Sequence, residues 1–195
     1  MIGELPKSLN VNGIEYDIRT DFRDVLNILL AFDDPNLSPQ EKTYVCLYIM
    51  YMDFEKIPPQ DYKEAAEKAM EFIDHGTGNN KRQSPRVMDW EQDECILFPA
   101  INRVAGFETR EKEYIHWWTF VGYYLEIREG LFSNVVAIRA KKKKGKKLEK
   151  WEQEFYNANV NICKLREKLS DEEKERRQRI LDVIDGKTEG GSNNG

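Results

Sequence analysis

In residues 114–127, ten of fourteen positions are apolar. At helical spacing they cover one face at 114, 117, 118, 121 and 125, and much of the other at 115, 120, 123, 124 and 127. A helix that is apolar on nearly every side holds in water only when other elements surround it. The chain must therefore build a multi-helix core around residues 110–129, with Trp117 or Trp118 among its anchors.

Upstream, Leu9-Asn10-Val11 and Ile14-Glu15-Tyr16-Asp17-Ile18 alternate on either side of Asn12-Gly13, a dipeptide suited to a type I′ turn. A β-hairpin is predicted, with Ile14, Tyr16 and Ile18 on the face that packs against helices. Thr20 is the expected N-cap of a helix over 21–33. Ser38-Pro39-Gln40-Glu41 combines a capping box with proline at the first helical position. The helix it starts runs into nine consecutive apolar residues, 44–52, and is read as a core helix. A third amphipathic helix follows over 60–74, closed by His75-Gly76.

Residues 76–86 lack large apolar side chains and read as a linker, 76–88 at its widest. Beyond it Asp89, with Gln92 three residues on, is the expected cap of a helix bearing Trp90, Cys95, Ile96, Phe98 and Ile101, kinked or reset at Pro99 and ended by Gly106. Ser133 is the expected cap of a short helix carrying Val135, Val136, Ile138 and Arg139. Lys141-Lys142-Lys143-Lys144-Gly145-Lys146-Lys147 repels itself and should be solvated. Then Leu148, Trp151, Phe155, Ala158, Ile162, Leu165 and Leu169 alternate spacings of 3 and 4, a heptad seam that asks for a partner helix. Ser170 and Glu173 form another capping box before a charged helix with Glu-Arg pairs at i, i+4 (172/176, 173/177, 175/179), and 186–195 reads as a disordered tail. The organisation expected is 1–75 and 89–185, co-folded as one mainly α domain with a short N-terminal β-hairpin packed on the helices.

Chemistry is scarce in this chain. Of 195 residues 40% are hydrophobic and 33% charged, which excludes disorder throughout. Three separated cysteines and two histidines make a disulfide framework or a zinc site a poor expectation. His116 beside Trp117-Trp118 lacks a nucleophile motif, so a structural or partner-facing role is favoured over catalysis. Asp89, Glu91, Asp93 and Glu94 suit the first turn of a helix better than a cation. No phosphate-binding, zincin or calcium-loop motif occurs, and no cofactor or metal is expected. The N-terminus resembles no signal peptide, so the expectation is a cytosolic protein without a membrane segment. Residues 1–75 carry 7 basic and 15 acidic side chains, against 15 and 10 in 131–185. That asymmetry suggests electrostatic complementarity, within the fold or toward a partner, more than nucleic-acid binding, for which the net charge of -5 has the wrong sign.

Three stretches together resemble one family. They are Asn12-Gly13-Ile14-Glu15-Tyr16-Asp17-Ile18-Arg19-Thr20-Asp21-Phe22-Arg23, Met88-Asp89-Trp90-Glu91-Gln92-Asp93, and Tyr114-Ile115-His116-Trp117-Trp118-Thr119-Phe120 followed by residues 132–139. Their order and spacing are similar to the bacteriophage gp fifteen proteins of tailed phages and prophages of Gram-positive bacteria, over about 5–160. Pro99 and Val104-Ala105-Gly106 depart from the family pattern. The resemblance implies a non-enzymatic tail assembly chaperone in the host cytoplasm, absent from the mature virion. Its partner would be the tape measure protein, with the tail tube protein or a sister chaperone joining. A minor structural tail protein is the alternative, followed by a nucleic-acid-binding protein that uses the lysine run. Trp151 and Phe155 are the expected apolar anchors, with Trp118 facing a groove and Arg139 on an electrostatic rim.

Overall fold

The structure is a computed structural model that describes residues 3–74 and 86–184. Helices take 62% of the described residues and the only sheet among them is an N-terminal hairpin, as expected. Strands β1 (Ser8–Val11) and β2 (Ile14–Asp17) pair antiparallel with Leu9 opposite Tyr16 and Val11 opposite Ile14. Asn12 and Gly13 hold φ of +48° and +84°, the left-handed pair a type I′ turn needs. Tyr16 and Ile18 are buried, but Ile14, next to the turn that closes the hairpin, is exposed.

Helix α1 (Phe22–Asp33) is capped by Asp21, not Thr20. Asp21 accepts from the Arg23 N–H (3.0 Å) and, through its other oxygen, from the distant Ile115 N–H (3.0 Å). Thr20 is buried, its hydroxyl hydrogen-bonded to that of Tyr114. Helix α2 (Pro39–Met50) starts on the expected capping box: Ser38 Oγ accepts from the Glu41 N–H and the Glu41 carboxylate accepts from the Ser38 N–H. Its apolar run does not make a fully enclosed helix. Cys46, Leu47, Met50 and the following Tyr51 are buried, whereas Tyr44, Tyr48 and Met52 are 55%, 56% and 56% exposed. Helix α3 (Tyr62–Ile73) buries Ala65, Ala69, Phe72 and Ile73, and the Tyr51 hydroxyl donates to the Ala65 carbonyl. The expected cap at His75-Gly76, most of the 76–88 linker and the 186–195 tail lie outside the described residues.

Asp89 caps a turn, its Oδ1 accepting from the N–H groups of Glu91 and Gln92, and helix α4 (Glu94–Ala105) begins only after it. Pro99 lies inside α4 and the helix runs on to Gly106, whose φ is +79°. Pro99 and Cys95 are both exposed, so water can take the Cys95 carbonyl that proline leaves unbonded. The central helix α5 (Trp117–Leu125) is shorter than 110–129. Before it, the chain is extended and bridges the N-terminus of α1: Phe22 N–H donates to Ile115 O and Trp117 N–H to Thr20 O (3.0 and 2.7 Å).

Helix α6 (Leu131–Lys143) starts at Gly130 instead of Ser133 and carries the first three lysines of the run in its last turn, where cations offset the helix dipole. The heptad seam is not one helix. Helix α7 (Lys150–Ala158) and the single turn α8 (Val160–Cys163) are separated at Asn159, and 164–170 is non-helical. The Asn159 side chain donates to the Phe155 carbonyl at 2.9 Å, competing with the helical ladder. Helix α9 (Asp171–Ile184) follows the expected Ser170-Glu173 box. Of its expected i, i+4 ion pairs Glu175–Arg179 forms at 3.7 Å, while Arg177 turns to Glu167. The core centres on Phe22 stacked on Phe120, ring centroids 4.3 Å apart, with Phe98 and Trp117 around them.

Candidate partner-binding cleft

The stretches that carry the family resemblance fold to one place. Asp21 ties the start of α1 to Ile115, Trp90 packs against Trp117 and Tyr124 (6.4 and 5.6 Å between centroids), and Asp93 pairs with Arg139 of α6. They enclose a core and leave a cleft beside it.

Phe22, Leu26, Leu30 and Asp34 follow one another at four-residue spacing, so they line one side of α1 over about 18 Å. Across from them stand Trp90, Glu91, Glu94 and Phe98. The first cavity, about 240 Å³, is walled by Phe22, Leu26, Leu30, Trp90 and Phe98, with Arg23, Arg110 and Glu94 at its edges. A second, about 630 Å³, shares Leu30 and Glu91 with it and continues past Asp34 and Leu37 to Arg166, Lys168 and Lys174. The two form one trough with an apolar floor at its α5 end and charge at the other.

The edge charges are held in place. Arg110 lies over the Phe98 ring at 5.0 Å and donates from Nε and Nη2 to Glu108 at 2.7 and 3.0 Å. Those guanidinium bonds, with the Arg110 and Asn102 N–H groups, outweigh desolvation and hold the Glu108 carboxyl at about 2. Arg23 lies over Phe22 at 4.5 Å, paired with Asp21 and donating to the carbonyls of Arg110 and Lys112. At the far end Lys168 reaches Asp89 (3.1 Å) and Asp33 (3.4 Å), and Arg86 pairs with Asp89. Burial pushes the Asp89 carboxyl up, but the Gln92 N–H, Lys168 and Arg86 outweigh it and leave it below its ordinary value. Such a trough, apolar below and charged along its edges, is shaped for an amphipathic helix.

The four residues expected to bind a partner lie apart. Trp118 is half-buried, stacked on Phe72 and donating from Nε1 to the Phe72 carbonyl. Arg139 is not on a rim. Its guanidinium is enclosed, 3% exposed, and grips both oxygens of Asp93 at 2.6 and 2.7 Å while also donating to the carbonyls of Val87, Ile162 and Cys163. It fastens the turn before α4 to α6 and α8. Trp151 is half exposed, whereas Phe155 leans on the core. His116 caps α5: Nδ1 accepts from the Trp118 N–H, so the proton is on Nε2, which donates to the Pro6 carbonyl. Of the lysine run, Lys141 bonds Glu152 at 2.6 Å and Lys142 lies 3.7 Å from the Tyr156 ring centroid. Residues Leu26, Leu30 and Arg110 escaped sequence reasoning. The four-residue spacing of Phe22, Leu26 and Leu30 was visible, but nothing local told that α4 would stand off from it.

Among the described residues no cluster of His, Cys, Asp and Glu could hold a metal ion, and no helix is long and apolar enough to cross a membrane. A family model described as Bacteriophage Gp15 protein matches residues 1–165. The match takes in all of the cleft except its far end, and α9 lies beyond it. No curated protein and no solved structure matches the chain.

Proposed function

We propose that this chain, which belongs to the bacteriophage Gp15 protein family, is a non-enzymatic tail assembly chaperone that holds an amphipathic helical segment of the tape measure protein in the α1–α4 cleft. The observation that carries the reading is the cleft itself. Its floor of Phe22, Leu26, Leu30, Trp90 and Phe98 and its edges of Arg23 and Arg110 come from the family-like stretches or from residues that pack on them. The apolar floor from Phe22 to Leu30 runs about 12 Å along α1, about two turns of helix, and the trough continues to Asp34 for a third. Holding such a segment keeps its apolar stripe out of water while the rest of the tail is recruited, and the tail tube protein or a sister chaperone would join that complex. Arg23 and Arg110 favour acidic positions flanking the stripe, at the end of the cleft near α5.

Co-expression with the tape measure protein tests this. The expected result is a soluble complex with the unaltered chain and its loss with Leu26→Glu, a change at a half-buried cleft position. A tape measure protein equally soluble alone, with no co-purification, overturns the reading. Recovery of the chain from purified virions by mass spectrometry would favour a structural tail component instead.

A further inference from the structure

Two exposed surfaces lie outside the cleft, and they are opposite in charge. On α2, Tyr44 and Tyr48 stack with centroids 6.3 Å apart and 11° between planes, both set edge-on against Phe54, with exposed Met52 beyond them. Their exposed neighbours include Glu41, Glu55 and Asp17, whose carbonyl accepts from the Met52 N–H, and Asp53, which pairs with exposed Lys56 at 2.8 Å and leaves the face acidic on balance. At the corner between α6 and α7, Lys143, Lys144, Lys146, Lys147, Lys150 and Trp151 are all exposed, and the Trp151 indole N–H donates to exposed Glu149. Each surface has aromatic side chains already ordered by their own chain, which lowers the entropic cost of docking.

We infer that copies of this protein associate head to tail, the α2 aromatic face of one receiving the lysine-and-Trp151 corner of the next. Charge complementarity selects the occupant. Residues 1–75 hold 15 acidic and 7 basic side chains and residues 131–185 hold 15 basic and 10 acidic, and both surfaces are open in the single chain, so neither covers the other. Lysines over tyrosine rings add cation–π attraction, a contact the chain already makes where Lys142 meets Tyr156. The two patches differ, so the contact is heterologous: it adds copy after copy, or closes into a ring, where a two-fold contact would stop at a dimer. The inference uses neither the cleft nor the chaperone reading.

Sedimentation velocity on the full chain, over about 1–500 μM, tests it in the micromolar range of a modest interface. Species larger than a dimer are expected, weakening about tenfold or more as salt rises from about 50 to about 500 mM. Tyr44→Ser with Tyr48→Ser, and separately Trp151→Ser with Lys144→Glu and Lys147→Glu, should each leave a monomer with unchanged circular dichroism. Mixed, the two variants keep one working surface each and should form a one-to-one dimer that grows no further. Should an aromatic change disturb folding, Lys146→Glu with Lys147→Glu alone should still weaken assembly. A wild-type chain monomeric throughout, assembly that survives both variants, or a mixture that stays monomeric overturns the inference. So does an α2 face that a different protein occupies while the chain does not self-associate.

Discussion

Arg139 and Arg110 each grip a carboxylate with two short hydrogen bonds, yet one is enclosed and the other is half exposed at 46%. Around Arg139 every donor is used: Asp93 takes two, and the carbonyls of Val87, Ile162 and Cys163 take the rest. Around Arg110 water competes with Glu108, and its outer face lies open along the cleft. The difference teaches what each pair is for. A buried charge pair contributes through the penalty of breaking it, whereas an exposed pair adds little stability and remains available to a partner.

The largest expected effect follows from the interior pair. Arg139→Ala should cost about 3–5 kcal/mol in urea unfolding by leaving Asp93 buried and uncompensated. Arg139→Lys should rescue little of it, since one ammonium cannot span both carboxylate oxygens and three carbonyls. A loss below about 1 kcal/mol would place Arg139 with the exposed pairs. Next, Trp117→Ala should cost about 3 kcal/mol, because Trp117 is buried and its indole N–H donates to the Ile73 carbonyl. Trp118→Ala, at a half-buried position, should cost clearly less. Then His116→Ala should remove the α5 cap for about 1 kcal/mol, with His116→Asn recovering part of it.

Arg110→Ala should change unfolding by no more than about 0.5 kcal/mol while weakening capture of the tape measure segment proposed to lie in the cleft, which would sharpen the contrast with Arg139. The smallest effect is a titration. The Glu108 carboxyl is held at about 2 against an ordinary 4.5, so its bonds to Arg110 last until it protonates near that low value, and the stability they add, full above the ordinary value, is lost as pH falls from there through about 2. Amide chemical shifts of residues 108–110 should follow that low midpoint. A midpoint near 4.5 would show that the arginine is not gripped.

The pattern of what was legible follows the range of the forces. Asn12-Gly13, the Ser38-Glu41 and Ser170-Glu173 boxes and the stop at Gly106 each depend on groups within about four residues, so the sequence alone determined them. It also determined the mainly helical class and, through the three quoted stretches, the family. Tertiary structure alone decided which side of the apolar run at 44–52 meets water, since periodicity counts apolar residues without saying how many neighbours arrive. It decided that the 148–169 spacing would not become one helix, because Asn159 and the docking of α8 on α6 outweigh a regular seam. And it decided that Arg139 lies inside: a charge reads as surface until a carboxylate more than forty positions away, with three carbonyls, gathers to satisfy it.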